Sequence, residues 1–218
     1  ALTLALTACS EEQAEAPAAP PAKTETAPPA VAPDPTPAAN AGSNNDEAGA
    51  QAEPFFAQMV LGDVTFQVES PNDSSINQVT VRAEGPEGPI GQMEAEADGT
   101  ITNVEIADLN ADGYPEIYVY VTSAGSGSYG SLIAYASNQN KSLTQIYLPS
   151  IEDDPAISKG YMGHDEFAVG EGALLRRFPI YKDGDPNAQP TGGTRQIQYK
   201  LEAGEAGWIL RQDRVVEF

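Results

Sequence analysis

Glu116-Ile-Tyr-Val-Tyr-Val-Thr122, then Ser123-Ala-Gly-Ser-Gly-Ser-Tyr-Gly130, then Leu132-Ile-Ala-Tyr-Ala136, is the stretch whose reading decides the fold. In its first part Ile117, Val119 and Val121 recur at every second position, the spacing that lines one face of a β-strand. β-Branched and aromatic side chains fill this run, and they fit a pleated surface better than a helix. The last part resumes a strand-like apolar pattern. Between them lies a small-residue loop that carries one large side chain, Tyr129. Gly125, Gly127 and Gly130 permit positive φ and a narrow profile, so the loop reads as a probe able to enter a cleft on a partner. Ser126, Ser128 and Tyr129 supply hydroxyls at its tip.

Outward from this unit the same period recurs. Short alternations occur at Val64–Val68, Val79–Val81, Thr100–Ala107, Leu143–Leu148, Glu166–Val169, Ala173–Tyr181, Arg195–Leu201 and Trp208–Phe218. Gly, Asn, Asp and Pro punctuate them and no sustained helical stripe appears, which predicts an all-β domain of two packed antiparallel sheets, a β-sandwich, over 54–218. That length suffices for one sizeable core. Gly170-Glu-Gly172 and Gly204-Glu-Ala-Gly207 read as hairpin turns, and Asp183–Gly193 as a longer excursion placed beside the Ser126 loop. Trp208 and Phe178 read as core or interface residues.

The beginning is of another kind. Ala1-Leu-Thr-Leu-Ala-Leu-Thr-Ala-Cys9-Ser10 is an apolar run too short to span a bilayer, and its Leu6-Thr-Ala-Cys9 resembles the lipobox of a bacterial lipoprotein signal. That resemblance makes 1–9 the end of a signal peptide and Cys9 the lipidation site, with Ser10 favouring the outer membrane of a Gram-negative cell. Cys9 is the only cysteine, so no intrachain disulfide braces the fold. Residues 10–53 are Ala, Pro, Glu, Thr, Asn and Gly with almost no large apolar side chain. They read as a disordered, partly extended acidic tether between lipid and domain.

The formal net charge is −21. Eight acids and one Lys lie in 10–53, which leaves 24 acids and ten bases, −14, on the domain. Such a surface repels nucleic acid and anionic headgroups and attracts basic partners.

Three chemical motifs compete for meaning. Gly125-Ser-Gly127-Ser-Tyr-Gly130 spells G-x-G-x-x-G, but a strand follows where a dinucleotide site needs a helix N-terminus for the pyrophosphate. Ser126-Gly-Ser128-Tyr-Gly130 approaches a nucleophile elbow, but Ser126 replaces the first glycine and again no helix follows. No base lies near Ser128 in sequence, and the one histidine, His164, has no second histidine or cysteine with which to hold zinc. No catalytic residue is therefore assigned. The third motif is Asp108-Leu-Asn110-Ala-Asp112-Gly-Tyr-Pro-Glu116. Its alternating oxygen ligands and sharp-turn glycine suit a hard cation such as Ca²⁺ and resemble the calcium turns of integrin-type repeats, with Asn110 and Glu116 as departures. A turn in which Asp and Asn bond their own backbone satisfies the same pattern.

Four blocks together carry a wider resemblance: Asp108–Gly130, Gly160-Tyr-Met-Gly-His-Asp-Glu-Phe-Ala-Val169, Arg176-Arg-Phe-Pro-Ile-Tyr-Lys-Asp-Gly-Asp185, and Gly204-Glu-Ala-Gly-Trp208. In this order they are similar to the periplasmic inhibitors of I-type (invertebrate) lysozyme. The resemblance implies a β-sandwich, no enzymatic activity, dimers in some members, and an S-G-x-Y loop inserted into the lysozyme groove. Ser126, Gly127 and Tyr129 match that motif, with Ser128 between them. The lipobox and long tether depart from the soluble members. A calcium-stabilised envelope module for glycan or protein stands as the alternative.

Overall fold

The structure, a computed structural model, describes residues 53–170 and 172–218, so Cys9 and the tether up to residue 52 lie outside the described residues. Twelve strands are described in two sheets. The first, of four strands, is an antiparallel meander: β1 (Phe55–Leu61), β2 (Val64–Ser70), β3 (Ile76–Gly85) and β4 (Gly88–Asp98). The second contains β5 (Thr100–Ala107), β6 (Glu116–Thr122), β7 (Gly130–Asn138), β8 (Ser142–Tyr147), β9 (Glu166–Gly170), β10 (Ala173–Pro179), β11 (Thr194–Ala203) and β12 (Trp208–Glu217). Its spatial order is β5-β6-β7-β8-β12-β11-β10-β9.

The strand that decided the reading is the hinge of the packing. Ile117, Val119 and Val121 point into a core shared with Phe66, Val68, Val79 and Val81 of the four-stranded sheet. Tyr118 and Tyr120, on the opposite face, enter a second core with Leu174, Phe178, Ile197 and Leu210 inside the curled eight-stranded sheet. Every residue from Glu116 to Val121 is buried. Burying one such aliphatic side chain contributes about 1.5–3 kcal/mol, so a strand buried on both faces is a strong organiser.

The large sheet curls until its edges meet. The Val169 N–H donates to Glu105 Oε2 at 2.7 Å, joining β9 to β5, and the Tyr120 hydroxyl donates to the same oxygen. The domain is thus a sandwich in which one layer is nearly a barrel. One pairing is not antiparallel: β12 runs parallel to β8, with Trp208 opposite Ile146 and Ile209 opposite Tyr147. The reason is the connection 148–165, which carries the chain away from β8 so that β9 to β12 return to it by antiparallel steps. That connection holds a 3-10 turn, Ile151–Asp153, and a short helix α1, Pro155–Ser158, capped by Ser150 and Asp154. Its Ile151 and Ile157 are buried in the second core.

Candidate functional site

The loop between β6 and β7 is built as a turn on a buttress. The Ser128 N–H donates to the Gly125 carbonyl at 3.2 Å, which places Ser126 and Gly127 at the corner. At the base, the Ser123 N–H donates to the Tyr129 carbonyl at 2.9 Å and the Tyr129 N–H to Ser123 Oγ at 3.0 Å. Ser126 is exposed, Gly127 and Ser128 half-buried, and Tyr129 48% exposed. Of the three glycines only Gly125 has positive φ. Gly127 and Gly130 are required by close approach instead. A Cβ on Gly127 would strike the Tyr129 ring, whose Cδ2 lies 2.9 Å away, and one on Gly130 would meet Asp165 Cβ at 2.5 Å. Tyr129 therefore lies folded over Gly127, its ring edge-on to Tyr161 at 5.6 Å between centroids.

Two other segments hold this loop. From the β8–β9 connection, the His164 N–H donates to the Gly127 carbonyl at 2.7 Å. Gly163, with φ of 87°, brings the backbone so near that a Cβ there would collide with that carbonyl. From the 183–193 excursion, Asn187 Nδ2 donates to the Ser126 carbonyl at 2.6 Å, while its Oδ1 lies 3.2 Å from His164 Nε2. The His164 ring is thus paired with an amide rather than a serine hydroxyl.

Beneath the loop sits a buried charge pair. Asp165 has no side-chain exposure and Arg176 6%, and Arg176 Nε donates to Asp165 Oδ1 at 2.7 Å. Asp165 Oδ2 accepts from the Gly130 N–H at 2.8 Å and from the Tyr161 hydroxyl at 2.6 Å, so the carboxylate ties the end of the loop to the barrel. The Tyr161 hydroxyl in turn accepts from Arg176 at 2.9 Å. Burial opposes the Arg176 charge, but the neighbouring Asp165 outweighs it and raises its pKa above the ordinary value. Burial and the Asp165 hydrogen bond likewise push the Tyr161 hydroxyl up, so it stays protonated as a donor.

The family described as periplasmic lysozyme inhibitor of I-type lysozyme matches residues 90–157. A solved inhibitor from Aeromonas hydrophila, in complex with Meretrix lusoria lysozyme, is 31% identical and is aligned over 42% of this chain and 80% of that one, with a TM-score of 0.37. A second structure of an Aeromonas periplasmic inhibitor of I-type lysozyme is 32% identical over 42% of this chain and 84% of its own, also with a TM-score of 0.37. This chain belongs to that inhibitor family. No curated protein matches it.

The family match runs from within β4 into α1 and includes Ser126–Tyr129, but it stops before Tyr161, Gly163, Asp165, Arg176 and Asn187. Those supporting residues of this family member carry no local motif. Asp165 and Arg176 look like ordinary surface charges in sequence, and the one available signal is that both fall inside the resembling blocks.

The acidic turn lies between β5 and β6, apart from the loop in sequence and at the other end of β6. Asp108 Oδ1 and Oδ2 accept from the Asp112 and Gly113 N–H groups at 3.1 and 2.9 Å, and Asp112 Oδ1 accepts from the Tyr114 N–H at 2.8 Å. Asn110 Oδ1 also accepts from Asp112 N–H at 3.0 Å. These are the bonds of a self-satisfied Asx turn. Glu116 is 1% exposed and accepts from the Leu109 N–H at 2.8 Å. Burial, reinforced by Asp108 and Asp112 and only partly offset by the Leu109 bond, raises its pKa to about 8. One ligand oxygen from each of Asp108, Asp112 and Glu116 lies within 4.8 Å of the others, a hard-oxygen set of the kind that suits Ca²⁺.

Proposed function

We propose that this chain is a lipid-anchored protein of a Gram-negative envelope that inhibits I-type lysozyme without covalent chemistry, by inserting Ser126-Gly127-Ser128-Tyr129 into the catalytic cleft. The observation that carries this reading is the braced loop: its outermost residue, Ser126, is exposed while its backbone is pinned by His164, Asn187 and Asp165. A loop held in one shape before binding loses little conformational freedom on entering a cleft. Glycosidases of this kind cleave with two carboxylic groups facing the scissile bond. The Ser126 and Tyr129 hydroxyls would donate to those groups and occupy the space of sugar and water. Two charge-assisted bonds contribute about 3–6 kcal/mol together, roughly 10²- to 10⁴-fold, and the surface around the loop supplies the rest. The acidic domain speeds encounter with a basic lysozyme at low salt. Lipid at Cys9 and the 10–53 tether would hold the inhibitor beside the wall it protects.

The test is inhibition of I-type, C-type and G-type lysozymes by the full chain carrying Cys9→Ser, beside Ser126→Ala and Tyr129→Phe. Loss of I-type inhibition in folded loop variants supports insertion. Inhibition that survives both moves the site elsewhere, and no inhibition by the parent ends the reading. The anchor has its own test: native chain in the membrane fraction and Cys9→Ser in the soluble fraction.

A second reading, a calcium-stabilised envelope binding module, is favoured by the convergence of Asp108, Asp112 and Glu116. Thermal unfolding with and without millimolar calcium decides it, since an unchanged melting temperature removes it.

A further inference from the structure

We infer that the loop is one wall of a wider lysozyme-docking face whose second anchor is Tyr147, with Met162 exposed at the foot of the loop, and that the groove between Tyr129 and Tyr147 receives a lip of the lysozyme cleft. This rests on the loop-insertion reading above. The first reason is size. A stable inhibitory complex buries about 800 Å² on each partner, roughly 20–30 residues, and four loop residues supply only a fraction of that. Surface beside the loop must be covered too.

The second reason is where the exposed apolar side chains stand. Tyr129, Tyr147 and Met162 are 48%, 58% and 39% exposed. Tyr129 and Tyr147 line the same groove of about 340 Å³, between the loop and the end of β8, and Ile151 and Glu152 complete its lining from the 3-10 turn. Tyr147 also lines a second groove of about 380 Å³, shared with Gly204–Ile209 of the β11–β12 hairpin. It therefore stands as a ridge between two depressions, one of which begins at the inhibitory loop. Met162 precedes Gly163, the residue pressed against Gly127. Exposed tyrosines that line a groove match the composition of interface anchors, where a rigid aromatic fills a pocket on the partner, and methionine is enriched at interfaces too.

The third reason is charge. The Arg176 guanidinium at the groove is already bonded to Asp165 and Tyr161, so it offers little to a partner, whereas Glu152 in the lining is exposed, as is the next residue, Asp153. The groove thus accepts an apolar lip edged by lysine or arginine. Met162 stands outside the groove lining, next to Tyr161 within it, whereas the remaining exposed large apolar residues are Phe56, Val60, Leu61 and Ile76 on the four-stranded sheet and Phe218 at the chain end, none of which lines this groove.

The experiment measures binding kinetics of the full chain carrying Cys9→Ser with I-type lysozyme for Tyr147→Ala, Met162→Ala, Tyr129→Phe and, as a control, Phe56→Ala. Thermal unfolding is recorded for each. Tyr147→Ala is expected to weaken binding about thirtyfold, mostly through faster dissociation, with an unchanged melting temperature because the side chain is exposed. Met162→Ala is expected to weaken it about fivefold, and Phe56→Ala to leave it unchanged. If Tyr129→Phe loses affinity while Tyr147→Ala keeps it, the docking groove is refuted and loop insertion stands. If both keep full affinity, the loop reading falls and this inference with it. Equal losses for Phe56→Ala and Tyr147→Ala also overturn it, since the face would then lie on the other sheet.

Discussion

Replacing Gly163 by alanine separates the role of the loop's shape from that of its side chains. Gly163 has φ of 87°, and a Cβ there would collide with the Gly127 carbonyl, with the carbonyl carbon 2.9 Å away and Tyr129 Cδ1 3.3 Å away. Left-handed backbone costs a non-glycine residue about 1–2 kcal/mol. Separating the segments enough to fit the methyl also breaks the bond from the His164 N–H to Gly127, worth about 0.5–1.5 kcal/mol net. The sum, about 2–3 kcal/mol, lowers the melting temperature of a domain this size by roughly 4–12 °C if the loop stays in place. The cheaper response is for the loop to swing away from Gly163, and inhibition then pays for it with a loss of at least about tenfold. Gly62→Ala is the control, because Gly62 also has positive φ (58°) but nothing lies within 4 Å of its Cβ position. It should lose about 1 kcal/mol and no inhibition. The assays are inhibition of I-type lysozyme and thermal unfolding, run on both variants. Gly163→Ala that inhibits like the parent and melts no lower than Gly62→Ala would refute the close packing of the two segments.

Other outcomes follow from the buried charges. Asp165→Ala leaves the Arg176 guanidinium buried without its counterion and the Gly130 N–H without its acceptor, so unfolding by urea should show a loss of about 3–5 kcal/mol. Glu116 has a folded pKa of about 8 against 4.5 for the free group, so between these values the unfolded chain gives up a proton that the folded chain keeps. Stability should therefore fall as pH rises from about 5 to 8, by a few kcal/mol, when measured with a chelator present. Glu116→Gln, which cannot ionise, should flatten that slope, and an unchanged slope would contradict the burial argument.

Much of the fold was legible because β6 and its neighbours alternate apolar residues at period 2. Two strands were not. β4, Gly88-Pro-Ile-Gly-Gln-Met-Glu-Ala-Glu-Ala-Asp98, is made largely of Gly, Pro, Glu, Ala and Asp, residues depleted in strands, and it is a strand because β3 pairs along its length. β1 is an edge strand with apolar residues on both faces, Phe55, Ala57 and Met59 packed on the core and Phe56 and Val60 exposed, so no alternation marks its inner face. The parallel pairing of β8 with β12 is set by a long connection, which no local period encodes. At the site, the small residues announced the loop, and the excursion at 183–193 does reach it through Asn187. The brace was not legible. Asp165 and Arg176 are eleven positions apart on different elements, and only the curl of the barrel brings them under Gly130. The need for glycine at 127 and 130 was read as backbone freedom, whereas the cause is contact with Tyr129 and Asp165.

The most direct measurement is competition. I-type lysozyme is titrated with the full chain carrying Cys9→Ser while a substrate-like oligosaccharide that fills the catalytic cleft is held at rising concentrations. Loop insertion predicts that the apparent inhibition constant rises in proportion to the oligosaccharide. Simultaneous binding of the oligosaccharide and this protein, with an inhibition constant that does not move, would contradict it.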